Sequence, residues 1–182
     1  MIVGYSLSVD DGDKYFFEAA PDTVFCPKCD SVIDDSYTPV TIGGLKKDLD
    51  CFSTYENRLI VSERFKAVCD RLNSNGLQFI QVNNAPILYW LKIIKSLEFD
   101  SIKRKTRFDG LCSLCNNYES IIGATPVYLK GVNYPIESGF YRTDLEFGSG
   151  REKSHLEIIG CETKNILERE CLLGINYIPT TI

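Results

Sequence analysis

"CPKCD", residues 26–30, and "CSLCN", residues 112–116, decide how this chain is read. Each is a Cys-x-x-Cys pair, and 82 residues separate them. A Cys-x-x-Cys turn curls the backbone so that two sulfurs face one side of a tetrahedron. Two such turns complete the four thiolates that zinc prefers, with the metal at about 2.3 Å from each sulfur. Cys26, Cys29, Cys112 and Cys115 are therefore the expected metal ligands, with Zn2+ as a structural ion. The spacer exceeds the 15–20 or so residues of an ordinary zinc finger. A zinc knuckle pair joining distant loops is expected, not a small self-contained finger.

The residue after each pair supports the turn. A tight knuckle commonly runs into a left-handed residue, for which glycine is the usual choice. Here the positions hold Asp30 and Asn116, and Asn and Asp are the non-glycine types that best tolerate that conformation. Two other readings compete. A redox dithiol needs its first cysteine at a helix N-terminus, where the dipole lowers the thiol pKa, and "DSVIDDSYTPVTIGG" after Cys29 is a poor helix. The other reading is that the cysteines are unrelated buried thiols. Cys51, Cys69, Cys161 and Cys171 are read as buried free thiols, the default for this residue type.

Working outward, 182 residues suit a single domain over 1–182 that buries roughly 70% of its unfolded surface without help from a metal. Net charge is −5, and residues 1–50 hold ten acids against four lysines. Such an acidic third either solubilises the protein or steers a basic partner. No targeting segment is read at the start, and the longest uncharged stretch, Leu72 to Leu91, is too rich in Asn and Gln to span a bilayer. A cytoplasmic protein, not associated with a membrane, is expected.

Two segments read as strand–helix–strand units, residues 57–82 and 156–180, an internal duplication or a shared packing solution. In the first, Leu59–Val61 form a strand and Ser62 is a fair N-cap. Phe65, Val68, Cys69 and Leu72 recur at helical spacing, Gly76 ends the helix, and "LQFIQV" is a strand. In the second, Ile158-Ile159 match Leu59-Ile60 and Glu162 matches Glu63, and after one deletion Gly174 matches Gly76. "IVGYSLSV" and "KYFFEA" around "DDGD" read as a hairpin, and 21–50 as loop, with Pro21, Pro27, Pro39 and Gly43-Gly44. "ILYWLKIIKSL" is ambiguous between strand and helix, and "GFYRTDLEF" is a strand. The fold class is a strand-rich α+β domain.

No catalytic constellation stands out. Four cysteines close a zinc sphere, whereas a catalytic zinc keeps an open position. His155 is the one histidine, with no partner indicated, and phosphate-loop and nucleophile-elbow patterns are absent. The chain is not read as an enzyme. The cluster Lys103, Arg104, Lys105 and Arg107 is the one argument for nucleic acid. A single basic patch on an acidic protein neutralises few phosphates, so a solvated strand edge is preferred.

The order "CPKCD", "LIVSERFKAVCDRL..GLQFIQV", "CSLCN", "GFYRTDLEF" and "CETKNILERECLLGINYIP" resembles the double-CxxCG family of bacterial proteins, and more broadly the immunity proteins of polymorphic toxin systems. The resemblance covers most of residues 20–180, though Asp30 and Asn116 stand where the family has glycine. It implies a cytoplasmic antidote that binds a cognate toxin, with Cys26, Cys29, Cys112 and Cys115 as its zinc ligands. The alternatives are a zinc-containing nucleic-acid-associated module and a dithiol oxidoreductase. Tyr5, Tyr15, Phe16, Tyr37 and Tyr55 are candidate contact residues, since interfaces favour aromatics.

Overall fold

The computed structural model describes residues 1–43, 48–72 and 74–181; Gly44, Lys46 and Lys47 of the loop-like stretch lie outside the described residues. The fold is strand-rich α+β, built on a single mixed sheet. Its strands are β1 (Ile2–Asp11), β2 (Cys51–Ser53), β3 (Leu59–Ser62), β4 (Leu77–Asn84), β5 (Ile87–Ile93), β6 (Ser96–Leu97), β7 (Arg107–Leu111), β8 (Tyr118–Ile122), β9 (Phe140–Ser149), β10 (Ser154–Ile159) and β11 (Ile175–Thr181). Its α-helices are α1 (Glu63–Arg71), α2 (Ser101–Arg104) and α3 (Cys161–Arg169).

Both strand–helix–strand units form, and they share a topology. In β3–α1–β4 the two strands are parallel, with β5 antiparallel between them. In β10–α3–β11 the strand between is β1, brought from the other end of the chain. Glu63 and Cys161, Arg71 and Arg169, Gly76 and Gly174, and Leu77 and Ile175 are each 98 residues apart. One constant offset thus relates the helices, connections and second strands, and the deletion expected between them is not needed. The sequence pairing was one residue out along the helix. At the true offset Phe65 faces Thr163 and Cys69 faces Leu167, all four buried.

Ser62 caps α1 as expected, its hydroxyl accepting the Phe65 N–H at 3.1 Å. Phe65, Val68 and Cys69 are buried on the sheet, and Leu72 packs at the margin. Gly76 acts later than expected. The helix closes at Leu72, and Gly76, at φ +91°, turns the chain into β4. Asp50 joins the two units: its carboxylate accepts from Ser62, from Arg64 and from the Leu173 N–H, at 2.8, 2.8 and 2.9 Å.

The N-terminal hairpin does not form. β1 pairs with β10 and β11 and, at its end, in parallel with β2. Both its edges are filled from elsewhere in the chain. Residues 14–19 leave the sheet instead, and Phe16 and Phe17 bury their rings while their N–H groups donate to the buried Glu56 carboxylate at 2.7 and 3.4 Å. Residues 21–43 are loop apart from a short 3-10 turn at Asp22–Val24 and a bridge between Phe25 and Val32. "ILYWLKIIKSL" resolves as β5 running on into β6. β5 pairs with β3 and β4, and β6 pairs in parallel with β9. The path β5–β3–β2–β1–β10–β9–β6 therefore returns to the stretch of chain where it began, and the sheet curls round on itself.

Phe65→Ala is expected to cost about 3–5 kcal/mol, the range for a large buried ring. Thr163→Val at the matching position should cost about 1–3 kcal/mol, because it strands the Gly139 N–H that Thr163 now accepts at 2.8 Å. Urea unfolding of both variants measures this.

Candidate metal centre and the adjoining cleft

The first cysteine pair sits on the turn between Phe25 and Val32, and the second at the tip of the β7–β8 hairpin. The two turns have the same backbone wiring. Asp30 N–H donates to the Cys26 carbonyl and Asn116 N–H to the Cys112 carbonyl, both at 2.9 Å. Cys26 N–H donates to the Ser31 carbonyl at 2.8 Å and Cys112 N–H to the Asn117 carbonyl at 2.9 Å. Asp30 and Asn116 adopt φ of 59° and 60°, the left-handed conformation their residue types predicted. Neither pair stands at a helix N-terminus.

The turns face each other. Cys26 and Cys112 sulfurs are 3.8 Å apart, Cys29 and Cys115 sulfurs 3.5 Å, and all four lie within 4.8 Å of one another. A tetrahedron with 2.3 Å metal–sulfur bonds has edges of about 3.8 Å. The four thiols are free, far beyond the roughly 2.05 Å of a disulfide. The set fits a metal ion in size, ligand number and donor chemistry. Cys26 and Cys112 are buried, and Cys29 and Cys115 are half-buried.

The thiol protons are unevenly held. Burial works against ionisation of Cys29, but the Ser31 hydroxyl and N–H and the neighbouring thiols outweigh it and bring Cys29 down to about 6. The Cys115 and Leu114 N–H groups hold Cys112 below the usual thiol value. The Asn117 N–H likewise lowers Cys115, yet burial and the neighbouring sulfurs outweigh it and push Cys115 up to about 11. Clustered thiols cannot all ionise against one another's charge. A bound cation removes that restriction and displaces the remaining protons.

Side chains brace the turns. Arg151 clasps the Asp30 carboxylate with two hydrogen bonds, 2.7 and 2.6 Å, and lies over the Phe25 ring at 4.2 Å. Lys28 reaches across to the Ser113 hydroxyl at 2.9 Å. The other cysteines are separate. Cys51 and Cys69 are buried, and burial pushes the Cys69 thiol up to about 12 and Cys51 well above the usual thiol value, which leaves both inert. Cys161 is half-buried and Cys171 is exposed, so burial does not extend to these two. Cys171 takes a left-handed φ of 50° just past α3.

Beside the centre lies a cleft of about 750 Å³ that sequence reasoning did not foresee. It occupies the gap left where β5 faces β9 without pairing to it, and Leu114 and Cys115 form part of its wall. Arg58, Arg142, Glu146, His155 and Glu157 line it. His155, for which the sequence indicated no partner, is largely buried there. It contacts Arg142, lies 3.5 Å from Glu146, and is held below the usual histidine value, first by burial. Glu157 shares the face of Ile159, is half-buried and lines the cleft. Burial raises its carboxyl from 4.5 to about 7, against the pull of Arg58.

That shift fixes a pH dependence. A carboxyl whose folded pKa is raised stays protonated in the fold while the unfolded chain ionises. Its destabilising effect therefore grows as pH rises from about 4.5 to about 7 and is constant above. Glu157→Gln should unfold like the wild type below pH 4.5 and be the more stable of the two at pH 8. Asn116→Gly should be neutral or slightly stabilising, while Asn116→Ile should cost about 1–2 kcal/mol through left-handed strain. Urea titrations at the two pH values test the first pair and a titration at neutral pH the second. The chain matches no known family model and no curated protein.

Proposed function

We propose that this protein is an immunity-type antidote that binds and neutralises a cognate toxin, held in shape by a structural Zn2+ on Cys26, Cys29, Cys112 and Cys115. The observation that carries the reading is the closed set of four sulfurs joining loops 86 residues apart. Four protein thiolates leave no coordination position for substrate, so the ion serves architecture. Thiolate ligands at this spacing favour zinc over hard cations such as magnesium or calcium.

The surface supports a protein partner. Tyr15 and Tyr55 are exposed and pack with ring centroids 4.5 Å apart and planes tilted by 48°, with Asp13 beside the Tyr55 hydroxyl. An acidic, aromatic patch of this kind suits a basic protein surface. Tyr5 and Tyr37 are half-buried, and Phe16 belongs to the core. The basic cluster is divided: Arg107 pairs with Asp109 at 2.7 Å, and Lys103 lies over the Tyr128 ring at 4.5 Å. That leaves less charge for the phosphates that the nucleic-acid reading requires. No described helix is long and apolar enough to cross a membrane.

Elemental analysis of the purified protein should give about one zinc per chain. Cys112→Ser should cost more than about 3 kcal/mol, whereas Cys69→Ala should cost about 1 kcal/mol. Co-expressed with a toxin encoded beside its own gene, the protein should restore growth, and Tyr15→Ala with Tyr55→Ala should weaken that protection while the fold is retained. A complete gene neighbourhood with no toxin, or growth arrest despite folded, metal-loaded protein, would reject the antidote reading.

A further inference from the structure

Glu157 is the cleft carboxyl that has no side-chain donor among the described residues, its own backbone N–H being its hydrogen-bond partner. Arg142 is its direct neighbour across the β9–β10 ladder, a position suited to an ion pair. Arg142 nevertheless turns toward His155, and its buried Nε has no hydrogen-bond partner among the described residues. The other guanidinium at this wall, Arg58, gives its Nη1 to the Glu56 and Lys153 carbonyls at 3.3 and 3.0 Å. Among the described residues no side chain donates to the Glu157 carboxyl, which is half-buried and lines a cavity large enough for a small molecule.

We propose that the cleft binds an organic cation, an alkylammonium or guanidinium group on an apolar stem, with the Glu157 carboxylate as its ion-pair partner. The charge balance favours a cation. Asp34, Asp35, Glu146 and Glu157 line the cleft against Arg58, Lys92 and Arg142. A dication held by four thiolates would add two further negative charges at the Cys115 wall. The rim favours a stem: Ile33, Ile94 and Leu114 border the opening and are about half exposed, at 50%, 49% and 61%. An ammonium alone would leave those side chains in water. One carried on three or more methylenes would cover them, each buried methylene contributing about 0.8 kcal/mol.

Binding is linked to protons. The free carboxyl titrates at about 7 because it is buried, and a cation against it favours the ionised form. The groups facing it are Arg58 from the turn before β3, Lys92 from β5, Arg142 and Glu146 from β9, His155 on its own strand, and Asp34 and Asp35 from the first cysteine loop. Of these His155 is held neutral by burial, so Glu157 sets the dependence. Affinity for the cation rises with pH up to about 7 and levels off above it.

Trp90 is the single tryptophan and lines the cleft, so its fluorescence reports occupancy directly. Titrations of the metal-loaded protein would use 1,4-diaminobutane, a short lysine-containing peptide, and sodium acetate and phosphate at matched ionic strength. The expected result is a saturable response to a cationic probe and none to the anions. Glu157→Gln, with its fold checked by circular dichroism, should weaken that response at least about tenfold, the loss of one buried ion pair. A saturable response to the peptide alone assigns the cation to a basic side chain of a protein. One to the free diamine assigns it to a small amine, and either supports the site. Saturation by acetate or phosphate only, no saturable response at all, or an unchanged affinity in Glu157→Gln overturns the proposal. No toxin is present in this titration, so its outcome is independent of the growth-protection assay.

Discussion

Four sulfurs within 4.8 Å of one another are the constraint from which the arrangement around the site follows. They come from two turns with identical hydrogen-bond wiring, one in the loop after β1 and one at the tip of β7–β8. The hairpin tip has little else to hold it. Leu111 and Leu114 are exposed, and the hairpin's ladder to the main sheet is the short β8–β9 pairing. Without a cation, Cys29 is brought down to about 6 and Cys112 is lowered while Cys115 is pushed up to about 11, so the cluster resists full ionisation. A metal turns that mutual repulsion into attraction toward one centre, which is why its binding energy would be conformational energy of the hairpin.

The second constraint is the curl of the sheet. Once β6 pairs with β9, the strands from β3 to β9 form nearly a full circuit, and β5 and β9 face each other across a gap. α1 and α3 pack their apolar faces on the sheet, with Phe65, Cys69 and Leu167 fully or almost fully buried. The gap receives the charged positions of β9 and β10 instead. Covered strands in a small α+β domain normally exclude such residues. Arg58, Arg142, His155 and Glu157 persist there because a cleft leaves them partly hydrated, although burial has shifted Glu157 and His155 toward their neutral forms.

What could be read from the residues, and what could not, divides along the distance between partners. The metal ligands were legible because two residues set each turn, and Asp30 and Asn116 marked its exit. α1 was legible because Ser62 and the spacing of Phe65, Val68 and Cys69 are local signals. The hairpin after β1 was misread because the true partners of β1 lie near residues 154–181, beyond the reach of turn chemistry. The register between the two units slipped by one residue because Thr163 stands opposite Phe65, and a buried threonine that accepts a backbone N–H carries no hydrophobic signal. Glu157 was invisible for a related reason. A glutamate before two isoleucines in a strand reads as solvent-facing until the pairing with Arg142 places it on the face of Ile159.

The two units give the same pattern a topological meaning. Each sets two parallel strands around an antiparallel one, with a nine-residue helix and a left-handed glycine before the second strand. They differ only in where the central strand is found, after β4 in one unit and at the start of the chain in the other. Joining the ends of β11 and β1, where Thr181 pairs with Ile2, would make their connectivity the same. The chain therefore opens at a hairpin position of one unit, and the segment between the units is free to carry the second cysteine turn. Leu114, Cys115 and Asn117 of that segment form part of the cleft wall. The metal would thus fix the β7–β8 hairpin against the loop that follows β1 and define the shape of the space beside them, which ties the ion to whatever the cleft accepts.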